Sequence, residues 1–207
     1  MFKILLVGPP GAGKTVIANK LTEELKIPFI KTGSLLREIS ENDVNYKVLH
    51  EAMEKGELAP NEIVGQVVKN EVVKYPNGYV LDGWLRQLSD LEVYNPDLDK
   101  VLFLDCPKEV CKERVLGRVV CRIHGITYSY AQEICDLCGG TLEKRADDTT
   151  ETFENRWLIY EQKTLPVIDY FRKQGKIIQI NANQSIPEIL KQIKESLKWL
   201  HIKLQKK

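Results

Sequence analysis

At 207 residues, with 43% hydrophobic and 29% charged side chains, the chain can bury one α/β core carrying insertions. Its formal net charge of +1 gives no field that would draw it to nucleic acid or an acidic membrane surface. No run approaches the roughly 20 apolar residues of a membrane span, and the N-terminal apolar run is too short for a signal peptide. A cytoplasmic enzyme is expected, in which the five cysteines are thiols or metal ligands.

The first predicted element is a strand over Phe2-Lys3-Ile4-Leu5-Leu6-Val7. It feeds the segment Gly8-Pro9-Pro10-Gly11-Ala12-Gly13-Lys14-Thr15. A helix follows over about 16–26, with Ile17, Leu21 and Leu25 on one face. Strand, glycine-rich turn and helix together are the context of a phosphate-binding loop. Its glycines let backbone amides and the helix N-terminus come close to phosphate oxygens. Lys14 supplies a point charge to the outer phosphates, and the Thr15 hydroxyl can ligate Mg²⁺. The segment implies a nucleoside triphosphate site.

Further strands are predicted at Phe29-Ile30, Tyr79-Val80-Leu81, Val101 to Leu104 and Ile177 to Ile180, alternating with amphipathic stretches. Continuous apolar strands are covered on both faces, so the expectation is an α/β fold, a P-loop three-layer arrangement around a central parallel sheet. The closing helix starts at about Ile186, places Ile189, Leu190, Ile193, Leu197 and Leu200 at helical spacing, and ends in a lysine-rich, solvated tail. Two segments do not read as core: a polar, helical stretch over 32–64 and a second over 119–149. The core is then 1–31, 65–118 and 150–207. Insertions at the carboxyl end of a parallel sheet lie where ligands bind, so both are expected to cover substrate.

The second insertion holds two ligand pairs, Cys121-Arg122-Ile123-His124 and Cys135-Asp136-Leu137-Cys138, with ten residues between them. Each pair wraps one side of a tetrahedral ion, and two pairs close the shell. Cys121, His124, Cys135 and Cys138 therefore read as a structural Zn²⁺ site, holding a hairpin with too few apolar residues to fold alone. Cys106 ends an apolar strand and Cys111 sits on a helix, so packing explains both.

Transfer of a phosphoryl group between two nucleotides requires many oxygens to be neutralised in a dry site, work suited to bidentate arginines. Arg37, Arg86, Arg114, Arg118, Arg145 and Arg156 lie at positions that would converge. Over nearly its whole length the chain resembles the adenylate kinase family. The resemblance implies ATP contacts from Gly8, Pro10, Gly11, Ala12, Gly13, Lys14, Thr15 and Val16, from Arg114 and Arg118 in Glu113-Arg114-Val115-Leu116-Gly117-Arg118, and from Gln184. Thr32-Gly33-Ser34-Leu35-Leu36-Arg37 is similar to the start of the family's nucleoside-monophosphate domain, here 32–64, with AMP contacts from Thr32, Gly33 and Arg37. Leu58 and Ala59 resemble its contacts to the AMP base. In Leu81-Asp82-Gly83-Trp84-Leu85-Arg86, Asp82 would orient Mg²⁺ through water, while Gly83 and Arg86 meet AMP. Arg145 and Arg156 would bridge the transferring group, and 119–149 resembles the family's metal-stapled lid. Lys14, Asp82, Arg86, Arg118, Arg145 and Arg156 are thus the expected catalytic set, in a monomer acting on ATP, AMP and ADP.

The chain departs from the family pattern at several positions. Thr15-Val16 stands where Gly-Thr is usual, Leu85 where a proline is usual, and His124 where a cysteine is commoner. Asp90 occupies the place of a glutamine that reads adenine; a carboxylate only accepts hydrogen bonds, which suits guanine better and makes GMP an alternative acceptor, although Gln87 lies nearby. Two other classes were weighed. A nucleotide switch would show Asp-x-x-Gly where this chain has Asp82-Gly83-Trp84-Leu85, and an Asn-Lys-x-Asp base reader, which it lacks. A nucleic-acid knuckle would need a basic stripe; Arg122, Tyr128, Tyr130 and Lys144 are interspersed with Glu133, Asp136, Glu143, Asp147 and Asp148.

Overall fold

The computed structural model describes residues 2–129 and 132–204, without the side chains of Ser129 and 198–204. Tyr130 and the Leu200 side chain therefore lie outside the described residues.

The apolar run at the N-terminus forms β1 (Lys3–Val7), with Ile4 and Leu5 fully buried. The helix after the phosphate loop, α1 (Lys14–Leu25), starts at Lys14, about two residues earlier than expected. Gly13, in a left-handed conformation at φ 86°, turns the chain straight into it. Ile17, Ala18 and Leu21 form its buried face. Next come β2 (Phe29–Lys31), α2 (Thr32–Arg37), α3 (Tyr46–Lys55) and α4 (Asn61–Val72). α4 runs unbroken across residues 64 and 65, and its Gly65 is required by packing. A Cβ there would stand 2.5 Å from Val93 and 3.0 Å from the Trp84 ring.

β3 (Tyr79–Asp82), the short α5 (Asp90–Val93), β4 (Lys100–Asp105) and α6 (Lys108–Leu116) complete the first half of the core. β5 (Arg118–Val120) and β6 (Thr127–Ser129) then pair antiparallel as a separate two-stranded sheet. α7 (Thr150–Ile159) is capped by Thr149, whose hydroxyl accepts the Thr152 amide at 3.1 Å. One wide helical turn, Tyr160–Thr164, joins it to α8 (Leu165–Lys173); β7 (Ile177–Asn181) and α9 (Ile186–Leu204) follow.

The five-stranded sheet has the order β2-β3-β1-β4-β7, and every neighbouring pair is parallel. This is the α/β architecture the alternating pattern predicts. Helices cover it, and one apolar cluster runs from the sheet through Leu36, Leu49 and Val64 of the first insertion. The second insertion has its own small cluster: Val119, Cys121, Cys135 and Leu142, with Tyr128 against it. No helix among the described residues is long and apolar enough to cross a membrane.

Candidate active site

The carboxyl ends of the parallel strands open into a cavity of about 1000 Å³. Its floor is the phosphate loop, pressed onto the backbone behind it. At Gly11, φ 88°, a Cβ would lie 2.3 Å from the Cys111 carbonyl of α6, so no side chain fits there. Lys14 starts α1 inside the cavity, and its ammonium donates to the carbonyls of Gly8 (2.9 Å) and Pro9 (2.8 Å). Burial pushes that ammonium below the ordinary lysine value, against the pull of Asp82.

All the expected nucleotide contacts line this one cavity: Gly8, Pro10, Gly11, Ala12, Gly13, Lys14, Thr15 and Val16; Thr32, Gly33 and Arg37; Leu58 and Ala59; Asp82, Gly83, Arg86 and Asp90; and Arg114, Arg118, Arg145, Arg156 and Gln184. They divide by position in the sheet. Arg114 of α6 donates to the Ala182 carbonyl just beyond β7 (3.0 Å), on the same flank as Gln184. Thr32 and Gly33 open α2 and Arg37 ends it, on the opposite flank beyond β2 and β3.

Between the flanks the arginines are held by carboxylates. Arg118 donates from Nε (2.6 Å) and Nη2 to the two oxygens of Asp148. Arg156 reaches Asp147 (2.6 Å) and the Met53 carbonyl (3.3 Å), while Arg37 lies 3.7 Å from the same Asp147 oxygen. Burial alone would raise the Asp147 carboxyl, but the Arg156 hydrogen bond and the charges of Arg156, Arg37 and Arg145 outweigh it and hold it below the usual carboxylate value. Arg145 is pushed down to about 10 by burial and by Arg118 and Arg37. Six arginines and two lysines thus line the cavity against the carboxylates of Glu57, Asp82, Asp90 and Glu113, with Asp147 and Asp148 pairing two of the arginines from behind. Such an excess of enclosed cation fits a polyanion and excludes an apolar ligand.

The loop after β3 departs from the sequence expectation in an informative way. Leu85 has φ 56°, a left-handed conformation closed to proline, which accounts for the absence of the family's proline. Asp90 is 4% exposed, and its Oδ2 accepts the amides of Arg86 (2.8 Å) and Gln87 (3.2 Å). The carboxylate expected to face a base is therefore partly committed to its own loop. Burial moves its pKa up, opposed by those amides and by the Gln87 side chain. Thr164 in the wide turn holds the other side of the loop, donating to the Arg86 carbonyl at 3.0 Å. Asp82, 8% exposed at the end of β3, and the Thr15 hydroxyl supply oxygen donors of the kind Mg²⁺ takes.

In the second insertion Cys121, His124, Cys135 and Cys138 bring their ligand atoms within 4.8 Å of one another. Cys121 Sγ is 3.7 Å from Cys138 Sγ and 3.5 Å from His124 Nδ1, and Cys135 Sγ is 3.7 Å from the same ring nitrogen. A tetrahedral ion with bonds of ~2.3 Å to sulfur sets sulfur atoms about 3.8 Å apart, so the residues fit zinc. The Tyr128 hydroxyl, 3.4 Å from Cys135 Sγ, holds that thiol down at about 5, toward the thiolate a metal needs.

Sequence reasoning missed the arginine partners Asp147 and Asp148 as site residues, and also Thr164 and Lys31. The Asp147-Asp148 pair, one residue beyond Arg145, was a readable signal. Lys31, a charge at the end of a strand next to Thr32, was another. Thr164 gave none, because its role depends on a contact with residue 86.

A model of the adenylate kinase family matches residues 6–176. The chain is 36% identical to an adenylate kinase of Methanosarcina barkeri, over 94% of this chain and 98% of that one. It is 38% identical to one from Carboxydothermus hydrogenoformans, over 94% and 99% of the two chains, and 37% identical to one from Halobacterium salinarum, over 90% and 92%. Matched along this length, with a phosphate loop beneath a cavity walled by arginines, the chain belongs to the adenylate kinase family.

Proposed function

We propose that the enzyme reversibly transfers the terminal phosphoryl group of ATP to AMP, giving two ADP. The observation that carries this reading is the division of the cavity: phosphate loop, Arg114 and Gln184 on one flank, Thr32, Gly33 and Arg37 on the other, with Arg118, Arg145 and Arg156 between them. ATP then lies along the β1, β4 and β7 side, with its phosphates on the loop amides and Lys14. AMP lies on the β2 and β3 side, its base toward Leu58 and Ala59 and its phosphate on Arg37 and Arg86. The AMP phosphate is itself the nucleophile, so the protein positions the two groups and stabilises charge rather than forming a covalent intermediate. Thr15 and Asp82 would hold Mg²⁺, which would supply charge neutralisation on the ATP phosphates. Arg118, Arg145 and Arg156 meet the charge that develops on the transferring group.

Segment 32–64 serves as the acceptor cover and 119–149 as a zinc-stapled lid, which close over the cavity and keep water from the transfer. The reading takes the enzyme as a monomer in the cytoplasm, a reducing compartment in which its five free cysteines persist. The base preference is AMP. With Oδ2 of Asp90 taken by the loop amides, only Oδ1 is left to accept from a guanine edge that offers two donors, which weakens the reason for favouring GMP. The test is a coupled assay of ADP formed from Mg-ATP with AMP, GMP, CMP and UMP in parallel. AMP is expected to dominate, and Lys14→Ala to lose at least ~100-fold in kcat with its fold retained. Equal turnover with GMP would refute the base assignment; near-normal turnover of Lys14→Ala would refute the mechanism.

A further inference from the structure

Among the described residues, Lys31 is the cationic side chain of the cavity wall that neither the phosphate loop nor the arginine set accounts for. It is the last residue of β2, in register with Asp82 of β3, and the chain turns from it directly into Thr32 and α2. It is half-buried, yet its ammonium makes no hydrogen bond or ion pair with any described residue. The charges facing it are Asp82 from β3, Arg37 from α2, Arg118 from β5 and Arg145 from the end of the second insertion. Three of those four have its own sign. Burial and this crowding hold the ammonium down at about 8.

A lysine at a strand end could have turned its long stem outward to water. Here it is instead kept in the cavity among like charges, an unfavourable placement unless an anion joins the group. The sheet order identifies the anion. β2 lies two strands from β1, on the side away from β4 and β7, where Arg114 and Gln184 stand. Thr32, the next residue, has a buried hydroxyl with no partner, so the same flank also lacks a polar ligand. We propose that Lys31 is a further binding residue for the acceptor, its ammonium contacting an oxygen of the AMP phosphate beside Arg37 and Arg86. This rests on the phosphotransfer reading above. A compact ammonium complements the forked arginines by neutralising the attacking phosphate without fixing its orientation.

The experiment measures KM for AMP and for ATP in wild type, Lys31→Met and Lys31→Arg, and equilibrium affinities for AMP and adenosine in the same proteins. Lys31→Met is expected to raise the AMP KM about tenfold or more, as loss of a charged hydrogen bond does, with the ATP KM within about twofold. Adenosine, which lacks the phosphate, should bind wild type and Lys31→Met alike, and Lys31→Arg should recover most of the AMP affinity. An unchanged AMP affinity overturns the proposal, and so does an equal loss toward ATP or adenosine. Should Lys31→Met fail to fold, wild type labelled with ¹⁵N-lysine decides: one lysine Nζ signal, absent from Lys31→Arg, must shift with AMP and not with adenosine. Absence of turnover in wild type would refute the kinase reading itself, and the AMP binding comparison would still decide the role of Lys31.

Discussion

Asp147 holds two arginines on one carboxylate, Arg156 at 2.6 Å and Arg37 at 3.7 Å. With its side chain 13% exposed, the contact is largely shielded from solvent, unlike a surface ion pair. Its folded-state pKa lies below the ordinary value of 3.8, so the unfolded chain takes up a proton first as pH falls. The stability it contributes is therefore fully present above that value and is lost as pH drops through the folded pKa. Asp147→Asn is expected to lower stability by about 1–3 kcal/mol near neutral pH. Thermal unfolding of both proteins from pH 7 to 3 checks this: the gap in Tm should narrow at the acid end. A gap that stays constant would place the effect in packing instead. Asp90 works differently, through loop amides rather than guanidiniums, and with Leu85 at φ 56° it sets the turn that aims Arg86.

At the scale of elements, the lid has little to hold it. β5 and β6 are three residues each, and their paired hairpin alone is too small to be stable in water. Its apolar cluster contains Val119, Cys121, Cys135 and Leu142, so two of its four buried members also belong to the quartet that fits zinc. Core and ligand set share Cys121 and Cys135. Removal of zinc by a chelator, or Cys135→Ser, is expected to release amide exchange across 119–148 while the central sheet stays protected, and to lower kcat at least tenfold because Arg118 borders that segment and Arg145 lies within it. Exchange by mass spectrometry, with zinc content by elemental analysis and turnover measured on the same samples, reports both. Unaltered protection after complete zinc loss would show that the hairpin stands by itself. The wide turn at Tyr160–Thr164 has a comparable local role, since the extra backbone residue rotates Thr164 to reach the Arg86 carbonyl.

For the whole molecule, the sheet was legible because its strands are buried on both faces and so appear as uninterrupted apolar runs, Leu5-Leu6-Val7 and Val101-Leu102-Phe103-Leu104 among them. The metal quartet was legible because its spacing reflects its geometry. The arginines were legible only through their sequence contexts, since an isolated arginine is usually a surface charge. Contacts that join distant parts of the chain were not legible. Thr164 and Arg86 are 78 residues apart, and no periodicity links them. Asp90 lines the cavity, but its commitment to backbone amides depends on a turn that the residue types did not announce.

β1, the first strand to be made, occupies the middle of the sheet between β3 and β4. A nascent chain therefore leaves the ribosome with its ATP loop already complete in sequence but without either neighbouring strand. The loop also leans on α6 through the tight contact of Gly11 with Cys111, so its shape depends on residues past 108. A fragment ending at residue 99, before β4, is expected to bind no ATP in a pull-down on immobilised nucleotide. Retained binding by that fragment would mean that the loop assembles locally. The order of synthesis is thus expected to delay ATP binding by the growing chain until β4 and α6 can form beside the loop.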